Sequence, residues 1–85
     1  MGILSEGASA EVTIATSDEM ANILYRAVLP EAERPSSIRS IVSLRAEGGR
    51  LTISIDASDT AALRAALNSY LRWVDGVLDA LYRLR

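Results

Sequence analysis

The side chains that could do chemistry in this chain are few, and their types narrow the field. There is no His, no Cys and no Lys, so the commonest general bases, nucleophiles and soft metal ligands are missing. Carboxylates remain, but they are spread over helix starts, loops and turns. Asp56 and Asp59 are close in sequence, at a strand end and a helix start, where turn and capping work accounts for both. A metal held by oxygen ligands alone would need more of them together. Serines are plentiful, yet no imidazole stands ready to activate one. Without Cys there is neither a disulfide framework nor thiol chemistry. The residues therefore predict a chain that is not an enzyme and carries no cofactor or metal.

What remains is suited to binding. Arg64 and Arg72 lie on one C-terminal helix, eight residues apart and so about 12 Å along its axis. Both fall off the apolar seam of that helix. A guanidinium there either favours the helix in solvent or meets a phosphate with its planar fork. Trp73 flanks the seam, and Tyr25 lies on an earlier helix. Aromatics in such places pack on their own chain or anchor a partner. Phosphate-cradling loops are not in view, because the adjacent pair Gly48–Gly49 suits a hairpin turn. RNA-stacking modules place aromatics on a sheet, and these strands contain no Tyr or Trp.

The elements that must position these residues follow from periodicity. "EVTIAT" alternates Val12 and Ile14 against Glu11 and Thr13, the period of a half-buried strand. Ser17 predicts a helix N-cap, with Asp18 and Glu19 in the first turn. Met20, Ile23, Leu24, Ala27 and Val28 then define an apolar helix face that Pro30 should stop near Leu29. "PEAERPSS" reads as a loop. In "IRSIVSLRA", Ile38, Val42, Leu44 and Ala46 take one face, opposite Arg39, Ser43 and Arg45. Leu51, Ile53 and Ile55 alternate inward after the glycine turn, and Thr13, Arg39, Ser43, Arg45, Thr52 and Ser54 are expected to form a polar face open to solvent.

Ser58 is the expected cap of the last helix. Leu63, Leu67, Tyr70, Val74, Val77, Leu81 and Leu84 continue as an unbroken seam. From Ser58 to Leu84 that helix would run about 40 Å at 1.5 Å per residue, against strands of about 20 Å. Half of the seam should therefore overhang its own sheet. Gly76 interrupts the helix at a cost of roughly 1 kcal/mol, or admits another backbone. The predicted class is α+β, in the order β-α-β-β-α: a three-stranded antiparallel sheet with two helices packed on one face. Residues 1–10 are expected to be a flexible tail and 11–85 a single domain.

Composition sets the frame. Eighty-five residues with 49% hydrophobic content cannot hide all their apolar area in so small a body, which favours association. The formal charge of −2 argues against a module drawn to nucleic acid by net charge. No apolar run approaches the length of a membrane span. The opening "MGILSEGASAE" is too short and acidic for a signal peptide, and Glu6 replaces the Ser or Thr of a myristoylation start. No membrane contact is expected, and the cytoplasm is the expected compartment.

Read together, "LRAALNSYLRWV" with the upstream "LPE", "IRS" and "G.RLTISIDASD" resembles the small Pcc-type dimerisation subunit of the KEOPS complex, from about Glu11 to Leu81. The resemblance implies a non-catalytic homodimer whose helices pack on helices of the complex's ATP-binding transferase subunit. That complex adds threonylcarbamoyl to an adenosine of tRNA, and the small subunit is thought to help hold the tRNA. By position, the resemblance points to Arg39, Arg64 and Arg72 as tRNA contacts, with Asn68 fixing a neighbouring loop. It points to Tyr25, Leu29, Trp73, Val77 and Leu81 as the partner interface. Because the chain is slightly acidic, tRNA would be held through a composite site shared with the transferase. A free-standing RNA-binding domain is the alternative, and it should bind RNA alone with a steep salt dependence.

Overall fold

The computed structural model describes residues 7–33 and 39–83. Its elements follow the order β1 (Ala8–Ala15), α1 (Asp18–Glu33), β2 (Ser40–Glu47), β3 (Arg50–Ala57) and α2 (Thr60–Arg83). This is the α+β arrangement read from the sequence. Sheet order is β1-β3-β2, with β3 antiparallel to both neighbours. The edge strands β1 and β2 therefore run parallel to each other, joined by α1 crossing over β3.

The central strand explains the core. Leu51, Ile53 and Ile55 are fully buried, and Leu24 and Val28 of α1 and Tyr70 and Val74 of α2 close over them. Val12 and Leu44 flank Ile53 in register, so the inward rows of all three strands agree. Among the described residues, no helix covers the other sheet face, which is mostly polar. Thr52 departs from the sequence reading, since it lies on that open face and is only 8% exposed. Its neighbours Thr13 and Arg45, one on each side in register, cover it laterally, as only a central strand allows.

Several boundaries also differ. β1 begins at Ala8, so Ala8–Ala10 belong to the strand and not to a tail. α1 runs through Pro30 to Glu33. Pro30 removes one N–H→carbonyl bond and crowds the preceding turn, yet the helix continues past it and Ala32 packs against the core. The buried stripe of α1 is Ala21, Leu24 and Val28, with Tyr25 and Ala32 half-buried beside it; Ile23 and Ala27 face outward. The inward placing of Ile38, and the reach of the seam to Leu84, lie outside the described residues.

Both helix starts are capped. Ser17 Oγ accepts from the Met20 N–H at 3.1 Å, as its position predicts. At α2 the cap is Asp59, not Ser58: Asp59 Oδ1 accepts from the Ala62 N–H at 2.8 Å. Ser58 is engaged elsewhere, its N–H donating to the Arg39 carbonyl at 2.8 Å.

The hairpin turn between β2 and β3 has positive φ at both Gly48 (60°) and Gly49 (75°), the two-residue form that matches strand twist. Gly49 is also sterically fixed, because a Cβ there would lie 2.7 Å from the Thr16 carbonyl oxygen. At Gly48 nothing lies within 4 Å. Urea unfolding should therefore separate the two glycines. Gly49→Ala is expected to cost about 1–3 kcal/mol, while Gly48→Asn should be neutral or stabilising by less than about 1 kcal/mol.

Candidate interaction surface

α2 is a 24-residue helix, so it spans about 36 Å. The strands have eight residues each, or about 26 Å. The overhang is thus about two turns, less than the half-seam the sequence suggested, because β1 and β3 are longer than expected. Val77 and Leu78 remain packed on the core, and Leu81 is half-buried.

Exposed apolar side chains occur singly at Ile23 of α1 and at Ile41 on the open face of β2, and as a group on the flanks of α2. Trp73 keeps 38% of its surface exposed, Leu71 39% and Tyr82 70%. Trp73 stands edge-on to Tyr70, with ring centroids 4.9 Å apart at 82°, a favourable aromatic geometry. The Tyr70 ring is buried and so fixes one side of the indole, while the other side faces outward.

Trp73 also borders a cleft of about 480 Å³. One wall is the small-residue flank of α2, Ala61, Ala62, Ala65, Ala66 and Ser69. The other is built from the start of β2, Arg39–Val42, with Glu31–Glu33 of α1 at the rim. Small side chains on a helix let another backbone come close, and the recurrence 61, 65, 69 and 62, 66 was the signal for this wall in the sequence. Burial, and then the charge of Glu31, push the Tyr70 hydroxyl above its ordinary pKa.

The residues singled out in the sequence are distributed unevenly. Tyr25 is half-buried against the chain's own core, as is Val77. Leu29 and Leu81 are half-buried without belonging to that core cluster. Trp73 alone of this group offers a large exposed face. Arg64 and Arg72 are exposed on α2, and eight residues of helix turn them roughly 80° apart, so they do not share one line. Asn68 is exposed on the same helix. Arg39 is separate from both, at the turn before β2, and lines the cleft. Among the described residues, no three His, Cys, Asp or Glu side chains gather as a metal site, and no helix is long and apolar enough to cross a membrane.

Against this geometry the relatives become informative. The family model described as Transcription factor Pcc1 matches residues 8–81, which takes in every strand and nearly all of α2. The chain belongs to the Pcc1 family. A curated relative, the KEOPS complex subunit Pcc1 of Pyrococcus abyssi (strain GE5 / Orsay), is 42% identical over 65 residues, covering 76% of this chain and 79% of that protein. The resemblance read from "LRAALNSYLRWV" and the strand motifs is therefore correct at the level of the family, and the Pcc1 fold here places that block along the cleft wall and the Trp73 flank.

Gly76 gives this surface a direct readout. It is exposed, and an added Cβ would meet nothing within 4 Å. Gly76→Ala should stabilise the isolated chain by about 0.5–1 kcal/mol in urea unfolding. A partner backbone seated at Gly76 would reveal itself as weaker binding by this more stable variant.

Proposed function

We propose that this chain is a non-catalytic, dimerising subunit of a KEOPS complex, working in the cytoplasm. In this role it binds the transferase subunit through its helical layer and helps hold the tRNA that receives threonylcarbamoyl. The similarity to the Pyrococcus abyssi subunit supports the assembly. The single observation that carries the interface is the half-exposed Trp73, braced by Tyr70 at the edge of a cleft walled by small residues. Such a combination gives a partner helix both close approach and an aromatic anchor. Leu81 and the exposed Leu71 and Tyr82 extend the same helix as apolar contact surface, and Tyr25, Leu29 and Val77 form its supporting margin.

For tRNA, the reading rests on Arg64 and Arg72. Neither forms an ion pair among the described residues, whereas Arg45 and Arg83 are paired with Glu47 and Asp79. Arg64 and Arg72 by themselves, on a chain of charge −2, are too few phosphate contacts to bind RNA strongly. A composite site with the transferase is the form this supports. A self-sufficient RNA-binding domain is disfavoured by the open sheet face, where Glu11, Glu47 and Asp56 accompany Arg45 and Arg50.

Two sets of variants test the assignment. Trp73→Ala and Leu81→Asp should each weaken transferase binding at least about tenfold by calorimetry, with the chain still folded by circular dichroism. Unchanged affinity in both would remove the helical layer as the interface. Arg64→Ala with Arg72→Ala should weaken tRNA binding by the assembled complex and flatten its salt slope by roughly 1.4–1.8. An unaltered slope would remove these two residues from the phosphate contacts.

A further inference from the structure

Arg39 is bound into the chain in a way that its sequence position does not reveal. Its carbonyl accepts the Ser58 N–H at 2.8 Å. Its Nε donates to Ser58 Oγ at 3.5 Å, a long contact, and its Nη2 forms an ion pair with Asp59 Oδ2. The other oxygen of that carboxylate, Oδ1, is the acceptor for the Ala62 N–H, while the Asp59 carbonyl accepts the Leu63 N–H at 3.0 Å. One carboxylate is thus divided between a guanidinium at the start of β2 and the first turn of α2. The Ala62 N–H first, and Arg39 after it, hold Asp59 below the ordinary carboxylate range.

We propose that Arg39 is a positioning residue that acts through Asp59 to fix the first turn of α2 against the start of β2. Only Ser58 and Asp59 separate β3 from α2, so the direction in which the helix leaves the sheet is decided at this junction. The two groups it ties together are also the two walls of the cleft: Arg39–Val42 on one side, Ala61 and Ala62 on the other. Arg39 thereby sets the gap into which a partner helix fits, and does so without contacting the partner's anchor. A phosphate that reached this guanidinium would have to share it with a carboxylate that already has a structural task. The planar fork, which can engage Ser58 and Asp59 together, explains why Arg and not Lys suits the position.

The assignment of the gap to a partner helix rests on the reading of the helical layer given above, and the test keeps the two apart. In the full chain, Arg39→Ala, Asp59→Asn and their double variant form a cycle, with Arg39→Lys as the conservative control. Asn retains the cap but not the ion pair. Amide exchange at Ala62 and Leu63 should accelerate roughly three- to tenfold in either single variant. The double variant should exchange no faster than the faster single, and Arg39→Lys should fall in between. Transferase affinity should fall in parallel, while the salt slope for tRNA binding by the assembled complex stays at its wild-type value. Independent, additive effects on exchange, or none, would overturn the proposal. So would a salt slope reduced by about 0.7–0.9 in Arg39→Ala together with tighter tRNA binding by Asp59→Asn, the signature of a phosphate contact. A wild-type chain that ignores the transferase while the exchange cycle holds would overturn the partner reading and leave the clasp standing.

Discussion

Leu51, Ile53 and Ile55 have essentially no exposed surface, and burying that one row of β3 is the constraint on which the other elements depend. A three-stranded sheet of this size cannot be stable with both faces wet. Two amphipathic helices are therefore laid on one side, with Leu24, Val28, Tyr70 and Val74 meeting the row. The register of both edge strands follows, because a slip by one residue would turn Val12 or Leu44 away from Ile53 and into solvent. Removing a buried branched side chain from such a row costs about 2–5 kcal/mol, a large part of the stability of a domain this small.

The same constraint accounts for what is left over. α2 must cover the central strand along its whole length, and it continues for about two turns beyond. A helix whose inward stripe is occupied by the core can offer a partner only its flanks and its end. That is where the exposed large side chains of α2 occur: Leu71, Trp73 and Tyr82. One flank is built from alanines and Ser69, so the surface is a shallow cleft and not a ridge. The chain thus has a surface suited to receiving a helix, and beside it the Asp59 carboxylate both caps α2 and pairs with Arg39.

Local signals in the sequence were legible where local chemistry decides the outcome. Ser17 caps α1, the glycine pair makes the hairpin, and the inward alternation of β3 holds throughout. Failures occurred where a tertiary contact chooses between two acceptable local answers. Ser58 and Asp59 are both good caps, and Asp59 takes the role because Ser58 Oγ lies against Arg39 Nε while the Asp59 carboxylate reaches the Ala62 N–H. On α1, the stripe through Ile23 and Ala27 and the stripe through Ala21 and Tyr25 share Leu24 and Val28. Rotation of the helix on the sheet selects the second, where small Ala21 permits close approach and the Tyr25 ring adds contact. Pro30 is a local stop signal, yet α1 runs through it to Glu33 and brings Ala32 against the core, a tertiary contact that no local signal carries. Of the candidate site, the outward placing of Trp73 could be read from its position beside the seam. The pairing of Arg39 with Asp59 joins positions 20 residues apart, and no periodicity signals it.

The role proposed for this chain is to join other proteins through its helical layer. The most direct measurement is sedimentation of the chain alone and then mixed with the KEOPS transferase subunit from the same source. The account requires a dimer that takes up the transferase into a larger, stable species. A chain whose sedimentation is unchanged by the transferase at micromolar concentrations would contradict it.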